Sequence, residues 1–410
     1  MRQAPDEPPW DLAAVTGATP DVAGPYRRLF AEPVLRRLAA ADVCARLPQG
    51  MTSLTLLLLA AQHAAMAVAG LVLAGYTLGA AVTAPVRGRL ADRHGLFPVA
   101  TVCGTGYAVA LLGLLACSLA RGPAGLLVAA ATAAGLLTPP LSPGVRSLWA
   151  IYTGAGLRQA AFALDAAVFD LCYLTGPVLA SALAAGLAPA AALGLVLVLT
   201  AAAVAAVHGR GPERASRDGG DGGSVWGPLR SVALRRLLIT AALTNVALAA
   251  TEVALTAVTR DHHALWASGP LLAGVAAGSI AGSLLLGARA SDAGAHRRLP
   301  RLLGGYAIGL ALLTAASLYP PLLALAAPLA GLCLGPALAT LFSATASAAP
   351  HGSGTEAQAW INSIMNGGAA GGAALAGLTA STPVLGLALA AGAAAAAMAS
   401  AALTRPASQQ

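Results

Sequence analysis

Charged residues are scarce in this sequence, because Asp, Glu, Lys and Arg make up only 10% of its 410 residues. An average soluble protein carries about 25% of such residues, so the composition excludes an ordinary soluble globular protein. Lysine is absent altogether, and all 24 basic residues are arginines. A phosphate-binding loop of the Walker A type needs a lysine, so the sequence also excludes ATP hydrolysis at such a site on this chain.

Cysteine and aromatic residues are also few. The five cysteines lie within apolar segments and show no CxxC spacing, so neither a disulfide framework nor a zinc site is expected. The arginines are scattered between apolar runs instead of clustering on one face, which argues against a nucleic-acid partner. We expect no metal and no cofactor.

Apolar sequence is abundant, since 57% of the residues are hydrophobic. Runs long enough to span a bilayer, which takes roughly 20 residues, recur along the whole chain. Twelve such runs predict an all-α integral membrane protein whose partner is the lipid bilayer. They lie near 36–60, 65–86, 97–119, 124–148, 160–184, 187–207, 237–258, 264–287, 301–318, 321–346, 356–379 and 383–404.

The distribution of arginine predicts the orientation of these helices. The first 33 residues contain acidic residues and no apolar signal-peptide core, so we expect the N-terminus to stay in the cytoplasm. With this orientation, 21 of the 24 arginines fall in cytoplasmic segments, as the positive-inside rule requires. We therefore expect a multi-pass protein of the plasma membrane with both termini cytoplasmic.

The predicted helices group into two halves. Residues 209–223 are rich in glycine and charge, as in a flexible linker. The sequence Ala-Gly-Leu at 134–136 recurs at 330–332, which favours duplication into parallel six-helix repeats. The predicted organisation is a cytoplasmic segment at 1–35, a six-helix bundle at 36–207, a cytoplasmic linker at 208–236, a second bundle at 237–404 and a cytoplasmic tail at 405–410.

A family motif lies between the second and third predicted helices. Residues 88–95 read Gly-Arg-Leu-Ala-Asp-Arg-His-Gly and resemble the loop signature of the major facilitator superfamily, although a simple glycine-bounded turn would also explain them. The resemblance implies the twelve-helix fold of that superfamily and a conformational latch formed by this loop. It places Asp92 near the start of the eleventh helix, around Glu356. The residues that it assigns to the latch are Gly88, Arg89, Asp92, Arg93 and Gly95.

A second resemblance concerns the fifth predicted helix. Gly176 and Pro177 resemble the export-type signature G-x-x-x-G-P-x-x-G-G of the same superfamily, although Cys172, Ala180 and Ser181 replace its other glycines. The match favours efflux. Close packing of small residues in a proline-containing helix is the alternative.

Charged residues within the predicted spans are functional candidates, because a charge near the bilayer centre costs at least ~2.5 kcal/mol. Asp42 and Arg46, four residues apart, either neutralise each other or expose Arg46 to a cavity. We expect Arg46 to pair with Asp170 of the fifth helix, either structurally or in proton coupling. Glu252 has no obvious basic partner in sequence and is either a protonation switch or a hydrated residue near the outer interface. The proton-coupling candidates are Asp42, Arg46, Asp165, Asp170 and Glu252.

Amide side chains at helical spacing predict a substrate path through the bundle. In the first helix one amide shares a face with Arg46, and in the seventh helix another shares a face with Glu252. The eleventh helix carries three amides in four-residue steps. The cavity-lining candidates are Gln49, Asn245, Gln358, Asn362 and Asn366.

These features together predict a secondary active transporter and not an enzyme. We expect it to export a small organic molecule, a drug-like compound or a metabolite, by proton antiport with alternating access. It would act as a monomer driven by an ion gradient. Proton-coupled uptake of a small metabolite is the main alternative, and a non-transporting membrane sensor or a membrane-embedded enzyme are two others.

Overall fold

The computed structural model describes residues 23–62, 66–208, 231–264, 267–287, 295–350, 352–379 and 381–403. Within these ranges the chain forms fifteen α-helices and no strand. Residues 1–22 and 209–230 of the predicted N-terminal segment and linker, the last residue of the predicted second bundle (404) and the whole predicted tail (405–410) lie outside the described residues. The helices are α1 (Ala23–Ala31), α2 (Pro33–Ala61), α3 (Met66–His94), α4 (Leu96–Leu119), α5 (Ala124–Leu136), α6 (Leu141–Tyr152), α7 (Ala155–Gly186), α8 (Pro189–Ala206), α9 (Val232–Asp261), α10 (Ser268–Gly287), α11 (Ala295–Ala316), α12 (Pro320–Gly331), α13 (Leu334–Ala348), α14 (Gly354–Leu378) and α15 (Pro383–Ala402).

Most of these helices are suited to a bilayer. Eleven stretches of the described chain are long and apolar enough to cross a membrane. The remaining span is α14, the eleventh in chain order, whose first half carries amide and acidic side chains. Large apolar side chains face outward, as in Leu187 and Leu378, which are 76% and 83% exposed. The protein is an all-α integral membrane protein with twelve spans in two six-helix pseudo-repeats.

The fourth and tenth spans differ from the prediction because each consists of two helices. α5 ends at Leu136 and α6 begins at Leu141, after two consecutive prolines. In the second half α12 ends at Gly331 and α13 begins at Leu334. Proline lacks a backbone N–H and disfavours helical geometry in the residue before it, which explains the first break. Pro139, Pro140 and Pro143 already indicate a kinked fourth span in the sequence, and the structure has a full break there, whereas the continuous helix predicted over 321–346 is wrong.

Two glycines show that the repeat in the sequence is also a repeat in space. A Cβ on Gly135 would collide with the backbone of Tyr76 in α3, and a Cβ on Gly331 would collide with the backbone of Val275 in α10. Glycine alone allows such close backbone approach. The second and fourth spans of each half therefore cross in the same way.

The starts of the two halves lie a few residues before the predicted ones. α2 begins with Pro33, whose fixed φ suits the first turn of a helix. α9 begins after Ser231, whose hydroxyl accepts a hydrogen bond from the N–H of Leu234 at 3.3 Å. Position 36 thus lies within α2, and position 237 within α9.

The short helix α1 precedes the first span and reaches the second half. Its Tyr26 hydroxyl donates a hydrogen bond to the carbonyl of Leu284 in α10 at 3.0 Å. Burial raises the pKa of Tyr26 to about 12, so the phenol stays a neutral donor at physiological pH. The predicted N-terminal segment therefore includes a helix that packs against both halves.

We predict that Gly176→Ala destabilises the protein. A Cβ at Gly176 would lie 2.7 Å from the carbonyl carbon of Gly50 and 2.9 Å from its Cα, so α2 and α7 would have to separate. Overpacking of this kind costs roughly 1–3 kcal/mol, and the melting temperature in detergent should fall by several degrees. The control is Gly113→Ala in α4, where no atom lies within 4 Å of the added Cβ. Equal melting temperatures for the two variants would contradict the prediction.

Candidate functional site

Four buried charges meet in the first half and are called the charge cluster here: Asp42, Arg46, Arg146 and Asp165. The Nε of Arg46 donates to Asp42 at 2.7 Å, and its Nη2 donates to Asp165. The Nε of Arg146 donates to the other carboxylate oxygen of Asp165 at 3.1 Å. Every member is at most 1% exposed. Two guanidinium groups thus share one carboxylate, and two aspartates balance two arginines.

Three helices position the charge cluster. Asp42 and Arg46 lie one turn apart on α2, which confirms the predicted i, i+4 pair. Asp165 comes from α7 and Arg146 from α6. The sequence counts Arg146 among the cytoplasmic arginines, but the structure buries it. No local pattern indicates this, because Arg146 and Asp165 lie on different helices.

The predicted pair between Arg46 and Asp170 is wrong. Asp170 instead accepts a hydrogen bond from the hydroxyl of Ser279 in α10. Asp165 and Asp170 are five residues apart, about 140° around α7, so both cannot face the charge cluster. Arg46 pairs with Asp165, and Asp170 faces the second half.

Arg146 also connects the charge cluster to the second half. Its Nη1 donates to the amide oxygen of Asn362 in α14 at 3.1 Å. Its guanidinium carbon lies 3.6 Å from the ring centroid of Phe342 in α13, a cation–π distance. Both partners are neutral, so these contacts can break without leaving an unpaired charge.

The latch motif contacts the second half where the resemblance places it. The Oδ1 of Asp92 accepts the N–H of Thr355 at 3.0 Å, and its Oδ2 accepts the N–H of Glu356 at 2.8 Å. These N–H groups belong to the first turn of α14, where they lack partners within the helix and where the helix dipole favours an anion. The contact near Glu356 is therefore present, while its conformational role stays a prediction.

The motif is not the loop that the sequence predicts. Residues 88–94 are the last turns of α3, and the connection to α4 is Gly95, with φ at +93°. A Cβ on Gly88 would lie 2.9 Å from the Cα of Glu356, so this glycine allows α3 to approach α14. Arg89 and Arg93 lie close enough to attract the Glu356 carboxylate.

Further hydrogen bonds close the same end of the molecule, called the latch end here. Ser147 bonds to Thr355 at 3.1 Å, hydroxyl to hydroxyl. The amide of Gln159 donates to the hydroxyl of Thr340 at 3.4 Å. Further along both helices and away from the latch, the Ser363 hydroxyl donates to the carbonyl of Ala81 in α3 at 3.0 Å. Polar contacts between the two halves therefore concentrate near the latch.

A cavity of about 890 Å³ lies between the halves, on the side of these contacts away from the latch. Along α3 its lining precedes the latch motif, and along α14 it begins at Asn362, six residues after Glu356. Pockets for small organic ligands fall in roughly this size range. The lining combines apolar groups, such as Leu248 and Met365, with a few charged and amide side chains. This arrangement can hold an organic molecule with one or more polar groups.

Most of the predicted polar residues line this cavity. Its lining includes Gln49, Asn245, Asn362 and Asn366. Gln358 does not reach it, because the side chain is buried and donates to the carbonyl of Phe342 at 3.0 Å. A four-residue step drifts around a helix by about 40°, which moves Gln358 off the face of Asn366.

The acidic candidates separate into two groups. Asp42 and Asp165 belong to the charge cluster, whereas Asp170 and Glu252 line the cavity. Within the described residues, the carboxylate of Glu252 forms no hydrogen bond and no ion pair. No group of three or more His, Cys, Asp or Glu residues in the described part of the chain could hold a metal ion.

The two residues of the export-type motif lie in different environments. Gly176 is buried against Gly50, whereas Pro177 lines the cavity. The sequence gives no signal for two further lining residues, Arg87 and Ser279. It places Arg87 with the cytoplasmic arginines, but the structure leaves this residue only 7% exposed.

Comparison with known proteins identifies the family. The model of the Major Facilitator Superfamily matches residues 38–373. The chain belongs to this superfamily. No curated protein sequence matches the chain.

Several solved transporters share the superfamily fold. A bacterial homologue of the iron transporter ferroportin in an outward-facing state aligns with a TM-score of 0.76 and 14% identity, over 90% of this chain and 98% of that one. The human organic anion transporter TETRAN aligns with a TM-score of 0.70 and 15% identity, over 90% of this chain and 100% of that one. The Escherichia coli fucose:proton symporter FucP aligns with a TM-score of 0.70 and 13% identity, over 90% of this chain and 98% of that one. At these identities the likeness shows the fold alone.

We predict that Asp165→Asn strongly destabilises the protein. The change removes the carboxylate that Arg46 and Arg146 share and leaves two adjacent guanidinium groups in an apolar bundle. Breaking a buried ion pair in this way costs roughly 3–5 kcal/mol, which thermal unfolding in detergent will show. Asp261→Asn is the control, because Asp261 forms an exposed pair with Arg260 at 3.6 Å and should change stability by about 1 kcal/mol or less. A melting temperature for Asp165→Asn as high as that of Asp261→Asn would refute the prediction.

We also predict that Asp92→Asn loosens the latch end. Asparagine keeps one acceptor oxygen and loses the charge, so one N–H of the α14 start loses its partner and the dipole loses its anion. Hydrogen bonds to charged groups contribute about 1.5–3 kcal/mol. Amide hydrogen exchange by mass spectrometry should therefore be faster in residues 354–360. The control is the exposed His94→Gln, and unchanged protection in Asp92→Asn would count against the latch.

Proposed function

We propose that this protein is a secondary active transporter that exports a small organic molecule in exchange for protons. The observation that carries the proposal is the cavity between the two halves, closed at the latch end and bordered by a carboxylate from each half, Asp170 and Glu252. Rocking of two such repeats about a central site gives alternating access. The arrangement needs no bound cofactor, because the energy comes from an ion gradient.

The contacts at the latch end support a reversible closure. They are side-chain hydrogen bonds to backbone or neutral groups, such as those of Asp92 with the α14 start. The bond between the hydroxyls of Ser147 and Thr355 can form and break without exposing a charge, whereas Asp92 exchanges its two N–H partners for water when the latch opens. With the latch end in the cytoplasm, as the arginine distribution predicts, the structure corresponds to an outward-facing state. The proposal includes cytoplasmic termini, the plasma membrane as location and a monomer as the working unit.

Proton coupling is assigned to the two carboxylates of the cavity. When the halves close around the cavity, an ionised carboxylate without a cation loses its hydration, which is costly. Glu252 is in this position, whereas Asp170 retains the hydroxyl of Ser279. Protonation removes the charge and lowers the cost of closure. The charge cluster is neutral as a whole and has a structural part in this scheme.

The apolar lining and the Gly176-Pro177 element of α7 support export of an amphipathic compound. The test measures accumulation of a panel of labelled organic compounds in cells with and without the protein, each with and without a protonophore. We expect expressing cells to retain less of at least one compound, and the protonophore to abolish the difference. Higher retention in expressing cells would overturn export and favour the uptake symporter.

We predict that Glu252→Gln uncouples transport from protons. In proteoliposomes with the exported compound, proton-driven accumulation should fall at least about tenfold, whereas exchange of labelled for unlabelled compound should continue because exchange needs no net proton movement. Asp170→Asn should weaken coupling in the same assay, and the exposed Asp261→Asn should leave it unchanged. Proton-driven transport at wild-type rates in both Glu252→Gln and Asp170→Asn would eliminate the coupling assignment.

A further inference from the structure

Arg87 is a buried cation that faces the cavity. It lies one residue before the latch motif, is 7% exposed and belongs to the cavity lining. Its Nη2 donates to the carbonyl of Ala80 at 2.7 Å, seven residues earlier in α3. The side chain therefore runs back along the helix, away from the latch and towards the cavity.

The guanidinium of Arg87 lacks an anionic partner within the described residues. Its Nε is buried and forms no hydrogen bond. Arginine stays protonated in proteins, so it cannot avoid the cost of burial by losing its charge. A buried charge without a partner costs several kcal/mol, and buried charges are normally paired. An anion from outside the chain would supply the missing partner.

Arg87 differs in this respect from the other arginine of the cavity. Arg46 also borders the cavity, but Asp42 and Asp165 neutralise it. Of the two carboxylates in the lining, Asp170 accepts from Ser279, and within the described residues neither Asp170 nor Glu252 forms an ion pair with Arg87. The charge of Arg87 is the unmatched positive charge of the described lining.

The start of α6 adds to the positive character of this region. Pro139, Pro140 and Pro143 border the cavity where α6 begins, so the positive end of this helix dipole opens on the same space. Thr138 and Asn362 border it too and offer neutral hydrogen-bonding groups. Apolar side chains make up much of the remaining lining, which suits a carbon skeleton better than a hydrated inorganic ion.

We propose that Arg87 is the binding residue for the anionic group of an organic anion, a carboxylate or a sulfonate attached to an apolar body. A guanidinium binds such groups through two parallel N–H···O bonds. The inference deepens the proposed function, on which the transport of this anion rests. Binding itself requires neither a gradient nor movement of the halves.

The test uses pairs of probes that differ only in charge. Dissociation constants of 1-naphthoate and 1-naphthamide, and of 1-naphthalenesulfonate and its sulfonamide, are measured by calorimetry with the full chain purified in detergent, after subtraction of empty micelles. We expect at least one anion to bind the wild type about tenfold or more tightly than its neutral analogue. In Arg87→Gln the ratio should fall to near one, while Arg87→Lys should retain part of it. The exposed Arg37→Gln should leave the ratio unchanged.

Stability separates a binding role from a structural one. If Arg87 only supports α3 through its bond to Ala80, Arg87→Gln lowers the melting temperature and leaves the anion preference intact, which would overturn the proposal. If Arg87 instead binds an anion from outside the chain, the ligand-free Arg87→Gln variant has a melting temperature equal to or above that of the wild type, because the substitution removes an unpaired buried charge. Equal binding of both anions and both neutral analogues by the wild type would also overturn it. Anion binding without transport would refute the proposed function alone, and transport without anion preference would refute this inference alone.

Discussion

The sharing of Asp165 between Arg46 and Arg146 is the interaction on which the rest of the structure depends. Each of these charges would cost several kcal/mol in an apolar bundle by itself, and only mutual pairing makes the set tolerable. Because the partners come from α2, α6 and α7, the pairing holds the first half together around its axis. It also directs Arg146 towards Asn362 of the second half. The latch lies on one side of this level and the cavity on the other.

Small residues pack the helices within each half, whereas polar contacts join the two halves. Within each half, glycines such as Gly135 and Gly331 allow backbones to touch, so the helices interlock and are costly to separate. Between the halves, the contacts near the latch are hydrogen bonds to neutral groups or to the start of α14. A rigid interior in each half and exchangeable bonds between them are what a rocking transporter needs. The same division leaves the cavity lined by unpaired groups of both signs.

Much of the fold could be predicted from the sequence, because membrane spans are a local property of composition and length. The pair of Asp42 and Arg46 was equally accessible, since one helical turn determines it. The partner of Arg46 on α7 could not be predicted in this way. Asp165 and Asp170 lie only five residues apart, and the rotation of α7 about its axis decides which of them faces Arg46. The prediction that Gln358 lines the cavity was wrong for the same reason, because the rotation of α14 turns this side chain away from the cavity. The prolines of the fourth span indicate its interruption, but the break between α12 and α13 in the tenth span was missed, because the run stays apolar there and no proline lies between the two helices.

The sequence by itself determined the membrane class, the two related halves and the resemblance to the superfamily, because each depends on residue type and spacing along one helix or loop. Only the tertiary structure decided which charges neutralise one another and which face the cavity. Arg87 and Arg146 look alike in sequence, as arginines near the ends of predicted spans. One is paired within the charge cluster, and the other faces the cavity without an anion. That difference arises from the convergence of side chains from separate helices, which no local pattern encodes.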